Sequence, residues 1–310
     1  MQNTSKKVIC KDSLIIIMTE NDKEISDYIT FPRTFEKYRW YKPILVFILG
    51  LIIFLILDLI VTFAFTGVYG WDAIEAIIAG GYEVLNTDLG QIVTDLGVIV
   101  MIPALYLATK IVRDRPFSSY ASSRGGWNYK LYLKALIIPF ILYIVFGLVS
   151  LIFDKPDGTM HFTIQFFIIT LILVPLQCIA EEYVFRGLIM QTFGSWFKIP
   201  ILAIILQAIV FGLCHGYNNL GNIEVLVSGL VMGFITWKTN GIEVSSALHT
   251  ANNLSIALFV MFGLHKTTST SSLQDTIISI AFEVILLVII YYVGKKTDWY
   301  GEIKENTQDA

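Results

Sequence analysis

The chain alternates long apolar runs with short polar connections. Runs near or above the ~18–20 residues needed to cross a bilayer recur along most of its length. Eight candidate spans follow, near 43–66, 92–109, 131–153, 163–193, 199–216, 223–238, 242–263 and 276–293. The pattern predicts an all-α fold, a polytopic membrane helix bundle of about eight transmembrane helices. The stretch 67–91 is too polar to span and is expected as an exposed loop or an interfacial helix. Gly229 and Gly233, spaced G-x-x-x-G with Ser228 beside them, predict a close helix–helix packing face.

Basic residues orient such a bundle. Lys6, Lys7, Lys11, Lys23, Arg33, Lys37, Arg39 and Lys42 precede the first span, and 67–91 has no Lys or Arg. Lys110, Arg113, Arg115, Arg124 and Lys130 surround the next connection, and the tail has Lys295, Lys296 and Lys304. Both termini are therefore expected in the cytosol. Tyr38, Trp40, Tyr41, Trp196 and Trp299 stand where an interfacial aromatic belt belongs. No cleavable signal peptide is evident, because the run Leu14 to Met18 is too short for one. Met18 is an alternative start, since Thr19 onward reads as an ordinary acidic cytosolic N-terminus.

Composition agrees, at 55% hydrophobic and 15% charged residues. A net charge of −3 with no basic stripe argues against a nucleic-acid partner. Cys10, Cys178 and Cys214 make neither a disulfide framework nor a CxxC metal pair. Cys178 and Cys214 fall in apolar runs and are expected as small buried hydrophobes. Asp58, Asp95 and Glu283 lie singly within spans, where a structural pairing is the simpler role. His161 and His265 are expected in solvated loops.

Three stretches break the apolar pattern in another way. Glu181-Glu182-Tyr183-Val184-Phe185-Arg186, Phe211-Gly212-Leu213-Cys214-His215 and His249-Thr250-Ala251-Asn252-Asn253 put ionisable and amide groups at membrane depth. Such groups are costly in lipid and mark functional interiors. With a turn at 194–198, Glu181 lies ~18 Å and His215 ~23 Å into the membrane at 1.5 Å per residue. On the seventh span His249 falls at ~10 Å and Asn253 at ~17 Å, so all of them can meet. Glu182 and Arg186, at i and i+4, share a face and suit an ion pair, while Glu181 is turned by ~100° toward a cavity. His249 and Asn253 are again i and i+4. Pro175 is placed to kink the helix before Glu181.

These groups suit amide hydrolysis. Glu181 with His215 can hold and deprotonate a water, and His249 with Asn253 can donate to the oxyanion that its attack creates. Zinc is the rival, with Glu181, His215 and His249 as its ligands and one position left open. The helical H-E-x-x-H signature is absent and the two histidines sit on different spans, so metal-free chemistry is favoured and no cofactor is expected. Cys214 and His215, adjacent on a helix, point apart and do not suit a cysteine nucleophile.

The order Glu-Glu-x-x-x-Arg, Phe-x-x-x-His, His-x-x-x-Asn resembles that of the CAAX proteases and bacteriocin-processing enzymes. This group is also known as the Abi or type II CAAX prenyl endopeptidase family. The resemblance covers about 163–263, which becomes the catalytic core, after a cytosolic segment at 1–42 and N-terminal spans at 43–162. The last span and tail occupy 264–310. It implies a bundle of about eight helices and an intramembrane endopeptidase. It implies too that Glu181 and His215 activate water, His249 and Asn253 stabilise the oxyanion, and Glu182 and Arg186 support the site. The implied partners are the lipid bilayer and a peptide or membrane-protein substrate, prenylated or a pheromone or bacteriocin precursor. A bacterial cytoplasmic membrane suits the basic N-terminus and lack of targeting features. Two other readings stay open: a non-enzymatic immunity or scaffold protein, and an ion-coupled transporter, against which the lack of internal repeats counts.

Overall fold

The computed structural model describes residues 27–153 and 155–300, apart from the side chain of Tyr82, together with the backbone of 7–11 and 14–18. The side chain of Cys10 and the residues Lys6, Lys23 and Lys304 lie outside the described residues. Strands β1 (Lys7–Lys11) and β2 (Leu14–Met18) pair as an antiparallel hairpin. The membrane part is all-helical, and each of the predicted apolar segments is a helix.

Helix α1 (Lys42–Tyr69) opens on Pro43, whose missing N–H costs nothing in a first turn, and stops at Gly70 with φ +85. The connection 67–91 is not a loop. It forms a short helix, α2 (Trp71–Ala79), and a 3₁₀ turn at Gly81–Asn86. The second span is divided into α3 (Asp88–Ile99) and α4 (Met101–Val112). Pro103 accounts for the break, because it has no N–H to give the carbonyl of Ile99. After a single turn, α5 (Ser118–Ala121), comes α6 (Tyr129–Phe153). The fourth span runs as α7 (Ile164–Glu182), a π-helical segment at Tyr183–Met190 and α8 (Gln191–Phe197). Its turn is tighter than the expected 194–198: Lys198 takes the left-handed conformation at φ +58 and α9 (Pro200–Leu213) begins two residues later. The bundle closes with α10 (Asn219–Thr239), α11 (Glu243–Met261) and α12 (Leu273–Lys296).

Among the described residues six stretches are long and apolar enough to cross a membrane: Lys42–Tyr69, Asp88–Val112, Tyr129–Phe153, Ile164–Phe197, Asn219–Thr239 and Leu273–Lys296. The protein is a multi-pass integral membrane protein. Helix α9 is apolar but has only 14 residues. Helix α11 has 19, and its polar side chains keep it from reading as a lipid-facing span. It needs no lipid face, because every residue from Glu243 to Ala251 is buried. Helices α6, α7 and α10 pack around it. Lipid-facing surface falls to the outer helices, where Leu55, Ile60, Phe63, Ile141 and Val288 are exposed.

The two ends of the bundle differ. At the end holding Lys42, 113–128 and Lys198, Lys42 Nζ donates to Arg113 O (3.1 Å) and Arg124 pairs with Glu243 (3.1 Å). We call this the basic face. The segment before α1 is strapped across it. Tyr28 and Ile29 are fully buried, Tyr28 OH donates to Tyr120 O (2.6 Å), and Arg33 Nη1 donates to Ser195 O (2.9 Å). Ile29 lies directly on Gly194, where any Cβ would collide with it. On the opposite face, Thr267 Oγ1 donates to Asn86 Oδ1 (2.7 Å) and Asn218 Nδ2 donates to Ser271 O (2.9 Å). His265 there is half-buried rather than simply solvated, its ring stacked on Phe259.

The single acids inside the spans are paired or packed. Glu283 accepts from Tyr143 OH (2.7 Å) and Ser228 Oγ (3.0 Å), and Asp95 accepts from Gln91 Nε2 (3.2 Å). Asp58 packs on Gly97, where an added Cβ would stand 2.9 Å from its Oδ1. The G-x-x-x-G pair packs α10 on α9. A Cβ at Gly229 would lie 3.1 Å from Ala208, and Gln207 Nε2 donates to Gly229 O (2.7 Å).

Candidate active site

The three polar stretches converge where α7, α9 and α11 meet. Glu181 and Glu182 are the last two residues of α7, immediately before the i→i+5 segment that holds Arg186. Such π segments occur often at functional sites. Glu182 and Arg186 are fully buried and joined at 2.7 Å, as their spacing predicted. The Arg186 guanidinium lies 4.4 Å over the Phe211 ring, so an aromatic face takes up part of its charge. The segment is held from the basic face by Arg115. That residue donates to Gly187 O (3.3 Å) and to Gln191 Oε1. Gly187 is required there, because a Cβ would lie 2.8 Å from Tyr120 O.

His249 stands between the two carboxylates. Its Nδ1 is 3.1 Å from Glu182 Oε1, and its Nε2 is 3.6 Å from Glu181 Oε2. Glu182 thus holds the ring from the buried side and leaves the other edge turned to Glu181. The side chain of Glu181 keeps 13% of its surface exposed against 0% for Glu182, although its Oε2, the oxygen that faces His249, is itself enclosed.

Gln177, unremarked in the sequence, completes the arrangement. Its Nε2 donates to Glu181 Oε1 (2.5 Å), and its Oε1 accepts from Asn253 Nδ2 (3.4 Å). One amide therefore connects the acid on α7 to the amide on α11. The signal was present, since Gln177 is i−4 to Glu181 on one helix face. Asn252 Nδ2 donates to Asn253 Oδ1 (3.0 Å) and holds that side chain from its other end.

His215 is placed differently from the expectation. Helix α9 ends at Leu213, so His215 sits in the connection 214–218 and not on a helix. Its Nδ1 meets Phe211 O at 2.8 Å, and its ring packs edge-on to Phe211, centroids 4.7 Å apart. Phe211 also packs edge-on to His249 (5.9 Å). Among the described residues no hydrogen bond or ion pair joins Glu181 to His215; they are linked through His249 and Phe211. Cys214, expected to be buried, is exposed for the same reason, whereas Cys178 is buried as expected.

Among the described residues no three His, Cys, Asp or Glu side chains stand together as a metal-binding group. Glu181, His215 and His249, the set expected for zinc, therefore do not form a ligand cluster in this conformation. His215 has turned one ring nitrogen to a backbone carbonyl instead.

Residues 162–255 match the family model of the Rce1-like type II CAAX prenyl endopeptidases. This is the family that the three motifs resemble. The Rce1-like segment begins just before α7 and ends two residues past Asn253. It includes every residue of the site and none of α1 to α6. The uncharacterized protein YyaK of Bacillus subtilis (strain 168) is 29% identical over 217 residues, covering 63% of this chain and 73% of that protein. No solved structure matches the chain.

Proposed function

We propose that this protein is an intramembrane endopeptidase in which Glu181 is the general base. A water bound at Glu181, with His215 as its second holder, loses a proton to the carboxylate as it attacks the scissile carbonyl carbon. The oxyanion that forms is met by His249 and Asn253, and the proton on Glu181 then passes to the leaving amine as the C–N bond breaks. Glu182 and Arg186 do not touch the substrate; they fix His249 and the helix that carries Glu181.

The observation that carries this reading is the position of His249. It lies within 3.1 Å of Glu182 and 3.6 Å of Glu181, the less enclosed of the two acids, while Asn253 is tied to Glu181 through Gln177. A proposed base, two proposed donors and a fixed support are thus joined in one contact network, and the Rce1-like match to 162–255 supports the reaction class. A scaffold or immunity protein has no need of that convergence. Substrate class is the finer part of the proposal: a peptide or membrane-protein segment, prenylated or a secreted-peptide precursor.

The test compares new peptide termini in cells expressing wild type or Glu181→Gln at equal membrane levels. Fragments that require Glu181 support the reading. Identical peptide sets with both proteins correctly inserted would replace it with the scaffold or immunity role.

A further inference from the structure

Burial changes in one direction along the site. Toward the basic face the polar groups beside the site are enclosed: Glu182, Arg186, Gln191 and Ser195 are fully buried, as are Tyr28 and Ile29 of the strap. Toward the opposite face the site opens. Gln177 is one turn from Glu181 in that direction, Asn253 is one turn from His249, and His215 follows the end of α9. All three are half-buried.

Helix α9 makes the opening. Its 14 residues rise only ~21 Å from the basic face, short of the ~30 Å apolar core of a bilayer. The chain then leaves helical geometry at Cys214-His215-Gly216-Tyr217-Asn218, in which Cys214 and Gly216 are exposed. Non-helical backbone at such depth persists only inside protein or beside water. Exposed backbone there requires a watery notch, and it lies on the side of His215 away from the basic face.

Charge says which side that is. Among the described residues, Lys155 and Lys266 are the only Lys or Arg in the connections of the opposite face. The basic face holds Arg33, Lys37, Arg39, Arg113, Arg124 and Lys198, among others. Basic connections stay in the cytosol.

We infer that the site opens to the extracytoplasmic side of its membrane, so its substrates are polypeptide segments presented there and not cytosolic tails. The strap of Tyr28 and Ile29 keeps the cytosolic end shut. The substrate half of this inference rests on the peptidase reading; the opening itself does not, and the test separates them.

Cys214, exposed beside His215, is the probe. In a Cys10→Ser, Cys178→Ala background, a membrane-impermeant maleimide is added to intact spheroplasts, with and without permeabilisation. Ile199→Cys, made in that background with Cys214→Ser, reports the basic face. Asn219→Cys, made likewise, repeats the test outside the apolar depth. Cys214 and Asn219→Cys are expected to label at least tenfold more than Ile199→Cys before permeabilisation and equally after it. Labelling of Ile199→Cys first would overturn the inference. Termini that require Glu181 are then mapped, and at least a fivefold excess on extracytoplasmic segments is expected. An excess on cytosolic segments would overturn the substrate half. Labelling from outside with no Glu181-dependent termini would instead remove the peptidase reading and leave the opening standing.

Discussion

At the scale of single residues the site divides support from chemistry. Glu182 and Arg186 are enclosed together, and removing one leaves the other charged and buried. Arg186→Ala is therefore expected to cost about 3–5 kcal/mol, read as a large fall in Tm in detergent. Normal stability and turnover in that variant would remove the assignment. Gln177→Ala is expected to act otherwise. It takes a donor from Glu181 and an acceptor from Asn253, so turnover should fall by about 10²-fold, on the scale of losing one aligned donor, with Tm nearly unchanged. A Gln177→Ala protein of full activity would show that Asn253 and Glu181 need no such link. Much of this was legible in the sequence, because charged groups in apolar runs stand out and i, i+4 spacing names their partners. Gln177 was missed because a neutral amide gives no such contrast. The burial of Cys214 was misjudged because one residue past a helix end reverses a side chain's surroundings.

At the scale of elements, α9 and the π segment set the geometry. Phe211 is carried by α9 and His215 follows its end, and α9 is fixed to α10 at Gly229 and Gly233. A Cβ at Gly233 would come 2.6 Å from Gln207 Nε2 and 3.1 Å from Ile204. Gly233→Val is thus expected to cost about 1–3 kcal/mol and to lower activity by shifting His215. A variant with both intact would mean that α9 tolerates displacement. The helices were legible because apolar length and 3.6-residue periodicity are direct consequences of lipid and helix geometry. The break between α3 and α4 was written in Pro103. The π segment was not legible: it changes the hydrogen-bond pitch without changing composition, and the apolar run passes through it. The end of α9 was also hidden, since Cys214 extends the apolar pattern past Leu213.

At the scale of the whole molecule, a central polar helix, α11, is wrapped by lipid-facing helices, closed by a strap on one face and notched on the other. That plan fits hydrolysis by protein groups around a bound water. Its metal dependence is testable directly: extended treatment with 1,10-phenanthroline or EDTA is expected to leave turnover within about twofold, whereas loss restored by zinc would bring Glu181, His215 and His249 back as ligands. Lys and Arg give the chain an expected orientation, but which end of the site is less enclosed was not legible, because burial along a helix depends on where its neighbours end. The most direct measurement is hydrolysis by purified wild type and Glu181→Gln, matched in Tm, on the peptides whose termini differ between the two strains. Cleavage by wild type and a loss of at least about 10²-fold in Glu181→Gln is predicted. Equal cleavage by both proteins would contradict the assignment of Glu181 as the base.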